Sequence, residues 1–150
     1  MARLHEASAP ADVQSARQLF AEYAQAVDAP CCFAGLEREI RELPRGYRLL
    51  LLAYEDDVLA GCVALRELDR ATAEVKRLYV RSPYRGRGTG RALIEAAIAA
   101  ARKAGYGRVV LDSLPSMCAA LALYRALGFR GIAPYLAEPT PGASCFELEL

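Results

Sequence analysis

Hydrophobic and polar positions follow two periods along this chain. Val13, Ala16, Leu19, Phe20, Tyr23 and Val27 recur three and four residues apart, the spacing of one face of an α-helix over Asp12–Val27. Pro10 and Asp12 suit its start, with Asp12 or Ser8 as candidate caps, and Asp28-Ala29-Pro30 ends it. Leu36, Ile40 and Leu43 share a face of a second helix predicted over Phe33–Leu43, closed by Pro44-Arg45-Gly46. The pattern then changes. The unbroken apolar run Leu49-Leu50-Leu51-Leu52-Ala53 predicts a strand over Arg48–Glu55. Asp56-Asp57 makes a turn into Val58–Leu68, which carries Leu59, Cys62, Val63 and Leu65. A turn at Asp69–Ala71 leads to Glu74–Arg81, with Val75, Tyr79 and Val80. Three strands joined by tight turns predict an antiparallel meander.

Downstream, Ala92, Leu93, Ala96, Ala97, Ala100 and Ala101 give a close-packing face to a helix over Arg91–Ala104, with Gly105 placed to end it. Arg108–Leu114 reads as a buried strand, Met117–Leu127 as a helix stopped by Gly128, and Phe129–Tyr135 and Ser144–Leu150 as two last strands. Ala2–Ser8 predicts a weak first strand, on which the lone His5 is an exposed residue rather than a catalytic base. With no repeat, linker or low-complexity segment, residues 1–150 read as one domain.

Composition narrows the class. In 150 residues, 54% are hydrophobic and 25% charged, as in a globular domain able to bury a sizeable core. A net charge of +1 argues against a nucleic-acid or membrane-surface binder. The five cysteines (Cys31, Cys32, Cys62, Cys118 and Cys145) contain no C-x-x-C and have one histidine to join them, so no metal site is expected. They read as free thiols of a reducing compartment. With no signal-peptide core and no apolar run long enough to span a bilayer, the expected location is the cytoplasm.

The chemistry concentrates between Glu74 and Leu93. A strand ends at Ser82-Pro83-Tyr84, where Pro83 cannot continue a ladder. Arg85-Gly86-Arg87-Gly88-Thr89-Gly90 follows, and then Arg91 opens a helix. Glycines let backbone approach a ligand, and the first N–H groups of a helix lack internal partners and favour negative charge. With Arg85, Arg87 and Arg91 nearby, the turn suits a phosphate or pyrophosphate. A Walker loop would need Lys-Ser/Thr after its last glycine, where Arg91-Ala92 stands. A dinucleotide fingerprint would need G-x-G-x-x-G early in a βαβ unit, although Asp112 lies at roughly the distance of a ribose carboxylate.

Arg85-x-x-Gly88-x-Gly90 resembles the pyrophosphate loop of the GNAT superfamily of N-acetyltransferases. Val75–Val80 before it and Leu123-Tyr124-Arg125-Ala126-Leu127-Gly128-Phe129 after it resemble the same family, in the same order and spacing. The likeness covers about Leu49 to Phe129. It implies an α/β (α+β) fold, with a central mixed, mostly antiparallel sheet of about six to seven strands flanked by about four helices. It also implies acetyl transfer from acetyl-CoA to a primary amine of a small molecule or peptide. Residues Arg85, Gly86, Arg87, Gly88, Thr89, Gly90 and Arg91 would hold the pyrophosphate. Backbone groups of the strand at Leu78, Tyr79 and Val80 would pair with the pantetheine arm, and the N–H groups near Leu78 would polarise the thioester carbonyl. Tyr124 matches the family's general acid, and Glu74 stands where some members keep a general base. Read as residues alone, Tyr124 is also a core aromatic on a face with Leu121 and Leu127, and Glu74 a solvated strand-end carboxylate paired with Lys76 or Arg77.

The likeness is incomplete. Many members carry asparagine where Met117 stands, which makes no equivalent hydrogen bonds. Cys118 beside it has no histidine to activate it as a nucleophile. The helical pair before Leu49 corresponds to the family's variable acceptor wall, so the acceptor is not legible, although Glu67, Asp69 and Glu74 would attract a cationic amine. A CoA-binding regulatory module without turnover is the alternative, and an ATP- or NAD-binding loop a third. The late strands and the loop from Ala137 to Ala143 offer a surface for a homodimer contact.

Overall fold

A computed structural model describes residues 2–26 and 35–150. Its elements in chain order are β1 (Arg3–Glu6), α1 (Pro10–Ala26), α2 (Leu36–Glu42), β2 (Leu49–Glu55), β3 (Val58–Glu67), β4 (Thr72–Val80), α3 (Thr89–Lys103), β5 (Arg108–Ser113), α4 (Cys118–Ala126), β6 (Arg130–Ile132) and β7 (Ser144–Glu149). The strands form one sheet in the order β1-β2-β3-β4-β5-β7-β6. The meander is present: β1, β2, β3 and β4 pair antiparallel, with Leu52 opposite Cys62 and Leu65 opposite Val75. β4 and β5 are parallel, and β5, β7 and β6 antiparallel. This is the mixed, mostly antiparallel sheet with four helices expected of the fold.

Strand alternation sorts the core into two layers. Leu51, Ala53, Val63, Leu65, Ala73 and Val75 pack with Leu93, Ile94, Ala97 and Ala101 of α3. Leu50, Leu52, Cys62 and Ala64 pack on the other face with Val13, Ala16, Leu19 and Phe20 of α1. β2 is therefore covered on both sides, which explains its unbroken apolar run. Each fully buried leucine there contributes about 1.5–3 kcal/mol.

At the start of α1, Pro10 takes the first helical position. The Asp12 carboxylate accepts the backbone N–H groups of Ala9 (3.1 Å) and Ser8 (3.2 Å), so Asp12 rather than Ser8 supplies the capping side chain. His5 Nε2 lies 3.0 Å from the same carboxylate; this hydrogen bond above all holds Asp12 below the usual carboxylate range.

Several boundaries differ from expectation. The first strand spans four residues, and the penultimate strand stops at Ile132 rather than Tyr135, before Pro134. The second helix runs Leu36–Glu42; Val27, Cys31, Cys32 and Phe33 lie outside the described residues. The third helix starts at Thr89, two residues before Arg91, because Gly88 at φ +84° turns the chain into it. Among the described residues, no helix is long and apolar enough to cross a membrane.

Candidate functional site

The site begins where two strands part. β4 and β5 pair over three residues, from Thr72 opposite Arg108 to Glu74 opposite Val110. Beyond Glu74 the β4 strand is reshaped by a bulge. Its register against β3 shifts between Cys62 and Ala64, and Arg77 takes φ +58°, left-handed geometry that is strained for a side-chain-bearing residue. The extra residue changes which side chains face which layer. Leu78 and Val80 pack on the α3 side, and Tyr79 on the α1 side. Arg77 reaches the α1–α2 side, where its guanidinium donates to Glu39 of α2 (2.8 Å) and stands 5.8 Å from the ring centre of Tyr23 in α1. Lys76 lies opposite Ala64, which belongs to that same layer.

The splay leaves a cleft of about 590 Å3. One wall is Val75–Val80 of β4; the other holds Asp112 and Ser113 of β5 and Met117, Leu123 and Tyr124 around α4. Residues 84–86 and 88–91 close one end, and Tyr23 overlooks the other.

At the closed end, Gly86 and Gly88 both sit at positive φ, +77° and +84°, a conformation glycine adopts without steric cost. The opening N–H groups of α3 have no intrahelical acceptor and point out of the turn. Thr89 turns its hydroxyl inward, donating to the buried Glu55 at 2.8 Å, and so anchors the turn to β2. Arg85 Nε donates to the Val80 carbonyl (2.8 Å), Arg87 lies 5.6 Å from the Tyr84 ring centre, and Arg91 pairs with Glu95 (2.7 Å). Arg85 and Arg91 thus flank the opening of α3 at the cleft, whereas Arg87, stacked near Tyr84, is not among the residues lining it.

β4 also presents its backbone to the cleft. Arg81 N–H donates to Ala60 O of β3 at 2.7 Å. Polar groups alternate sides along a strand, so those of Val80 and Leu78 turn the other way, towards the gap. Gly61 makes the close β3–β4 approach possible: a Cβ there would stand 2.5 Å from the Tyr79 carbonyl oxygen.

Tyr124 is a core aromatic that also reaches the cleft. It is buried against Phe129, ring centres 5.8 Å apart. Burial pushes its phenol well above the ordinary value, with smaller contributions from Tyr23 and Asp112, so it holds its proton at neutral pH. Glu74 is placed otherwise than either reading supposed. It is wholly buried rather than solvated, does not line the cleft, and pairs with Arg66 (2.5 Å) rather than with Lys76 or Arg77. Tyr135 donates to its other oxygen. Among the described residues, the carboxylate that does line the cleft is Asp112, which accepts the Thr140 hydroxyl at 2.8 Å. Met117 lines the cleft with its sulfur 3.5 Å from Ser113 Oγ, a contact that occupies the expected place of an asparagine. Cys118 is exposed and hydrogen-bonded to Pro115 O at 3.5 Å. Among the described residues, no three His, Cys, Asp or Glu side chains gather as a metal site would require.

Sequence reasoning missed Tyr23, the bulge at Arg77 and the need for Gly61, and it weighed Asp112 only as a ribose ligand. Gly61 alone carried a local signal, as a glycine inside a strand pattern.

Comparison with known proteins agrees with this geometry. Residues 13–129 match the sequence model of the acetyltransferase (GNAT) family. An uncharacterised N-acetyltransferase of Schizosaccharomyces pombe is 32% identical over 147 residues, covering 94% of this chain and 90% of that protein. The crystal structure of an acetyltransferase from Streptococcus agalactiae superposes with a TM-score of 0.80 at 21% identity, covering 99% of this chain and 98% of the other. A GNAT family acetyltransferase from Elizabethkingia anophelis, solved with acetyl-CoA bound, superposes at 0.69 and 23% identity, covering 99% and 98%. At these identities, the two structures speak to the fold.

Proposed function

The chain belongs to the acetyltransferase (GNAT) family, and from that premise we propose that it moves an acetyl group directly from acetyl-CoA to a primary amine of a small molecule or peptide. The observation that carries the reading is the junction of two features in one cleft: an anion nest at residues 85–91 and a splayed β4 edge leading from it to Tyr124. The pyrophosphate would rest on the opening N–H groups of α3, with Arg85, Arg87 and Arg91 around it. The pantetheine amides would pair with backbone groups of Leu78 and with the Val80 N–H, the Val80 carbonyl being taken by Arg85, as an added strand. That path would bring the thioester carbonyl to the Leu78 N–H, an oxyanion donor, and its sulfur to Tyr124.

The amine must lose a proton before attack. Glu74 and Asp112 are the candidate acceptors. Glu74 is held by Arg66 and Tyr135 behind the wall and would act only through a relay, whereas Asp112 faces the cleft. We assign the proton to Asp112, directly or through water, and give Glu74 the role of holding Arg66 and Tyr135 in place. The nitrogen lone pair then forms the C–N bond at the carbonyl carbon and the C–S bond breaks. The thiolate takes the phenol proton of Tyr124, and the second nitrogen proton restores Tyr124. Burial raises the Tyr124 pKa, so the phenol keeps its proton until the thiolate forms beside it.

Residues 1–150 act in this scheme as one domain. The free thiols of Cys62, Cys118 and Cys145 suit a reducing, cytoplasmic setting, and the β6 edge with residues 137–143 is the face we assign to a homodimer. A thermal-shift comparison tests the donor: acetyl-CoA and CoA should raise Tm, and ATP and NAD should not, since a ligand of the folded state alone stabilises it. A rise with ATP or NAD only would refute the reading. Thiol release with an amine panel then tests turnover, with Asp112→Asn expected to lower kcat more than Glu74→Gln.

A further inference from the structure

We propose that the acceptor is an amine that also carries a carboxylate, an amino acid in the broad sense, whose carboxylate is held by Arg77 and Lys76. This rests on the acetyl-transfer reading and adds the chemical class of the acceptor.

The argument starts from groups that the fold leaves unmatched. The Arg77 side chain is only 12% exposed. One of its terminal nitrogens donates to Glu39, but its Nε is buried and has no partner among the described residues. A buried guanidinium N–H without an acceptor bears its full desolvation cost, and the strained left-handed backbone at this residue holds it there. Lys76 precedes it. It is half-buried, and among the described residues no hydrogen bond or ion pair reaches it. Burial depresses its pKa, an effect partly offset by the charge of Glu74. Both residues line the cleft and the small pocket that continues it beneath Tyr23.

Among the described residues, the nearby carboxylates leave Lys76 without an ion pair, whereas Arg77 is paired with Glu39. Glu74 is taken by Arg66 and Tyr135, and Glu39 by Arg77 and Tyr47. Asp112 is left, on the opposite wall. Among the described residues, the acceptor end therefore sets an unpaired Lys76, beside the Glu39-paired Arg77, on β4 against Asp112 on β5. An ammonium group and a carboxylate on one small molecule complement both walls: the carboxylate meets Lys76 beside the Arg77 guanidinium, while the amine meets Asp112 on the side of Leu78 and Tyr124. A plain amine leaves Lys76 unmet, and a polycation faces its like charge.

The test uses matched sets: an L-amino acid, its carboxamide and its decarboxylated amine, with phenylalanine, leucine and glutamate as parents. Thiol release is followed at saturating acetyl-CoA, and the N-acetyl product is identified by mass spectrometry. The carboxylate member of at least one set should exceed its amide by about 10-fold or more in kcat/KM, the size of a charge-assisted hydrogen bond. Lys76→Met and Arg77→Gln should shrink that ratio through the acceptor KM and leave the acetyl-CoA KM unchanged. Arg77→Gln also removes the link to α2; Lys76→Met breaks no contact and decides the matter if the other variant misfolds. Equal or better turnover of amides and amines, no turnover of any amino acid, or an unchanged ratio in Lys76→Met would overturn the proposal. Acetyl-CoA stabilisation is measured on the same preparation. A Tm rise without carboxylate preference refutes the acceptor class alone, whereas no rise removes the acetyl-transfer reading with it.

Discussion

The end of the cleft formed by residues 84–86 and 88–91 comes from one continuous stretch of chain, whereas the end around Arg77 draws Tyr23, Lys76, Asp112 and Thr140 from four separate places. The first end works through backbone: two glycines at positive φ, the free N–H groups of a helix start, and a Thr89 hydroxyl turned inward as an anchor. The second works through side chains, several of them held by distant partners. Glu39 reaches Arg77 across 38 residues, and Tyr135 reaches Glu74 across 61. A ligand part common to many reactions suits a backbone cradle, which tolerates change in surrounding side chains. A part that differs between reactions suits side chains that can be exchanged without disturbing the turn. Tyr124 stands between the two ends, where the reaction would occur.

The sharpest break in the comparison is at Tyr124. Tyr124→Phe keeps the packing on Phe129 and removes the proton donor, so kcat should fall by roughly 100-fold, the usual scale of one positioned acid, with little change in the acetyl-CoA KM. An equal loss in CoA affinity would make it a packing residue. Gly88→Val strikes only the backbone end. A β-branched residue resists φ +84°, so the turn must shift and acetyl-CoA binding should weaken by about 10-fold or more, as one misplaced charge-assisted contact already implies. The ratio of kcat/KM among different amines should stay constant, because the acceptor end is untouched.

A milder test concerns the wall that both ends share. Gly61→Ala places a Cβ against backbone at 2.5 Å. The fold should lose about 1–3 kcal/mol, the range for overpacking, and both substrates should bind more weakly because β4 is pushed into the cleft. Denaturant unfolding and the two KM values check it. The smallest effect lies outside the cleft. Arg108 and then Arg130 hold the Glu147 carboxyl below its ordinary value of 4.5. A depressed carboxylate contributes stability that is complete above that value and is lost as pH falls through the lower, folded one. Tm should therefore drop less between pH 5 and pH 3, about the range this sign implies, in Glu147→Gln than in the wild type. A parallel drop would mean that other carboxylates dominate acid unfolding.

Much of this protein is local in origin, and those parts follow from the sequence alone. The helical period of α1 and α3, the two-sided apolar run of β2 and the turns of the meander depend on neighbours in the chain, and so does the arginine- and glycine-rich turn before α3. The segment around Tyr124 is equally local, and its helical spacing places Tyr124 among core residues. Tertiary structure decided what depends on partners far along the chain. Nothing near Glu74 indicates that Arg66 and Tyr135 enclose it, or that the carboxylate facing the cleft is Asp112. Nothing near Arg77 indicates that one extra residue opposite Val63 turns its side chain towards α1. A bulge is specified by the fit of a whole sheet between two helical layers, and a buried charge by the geometry of its partner. The donor end of the site therefore arises from consecutive residues, while the acceptor end comes into being only when the sheet is assembled.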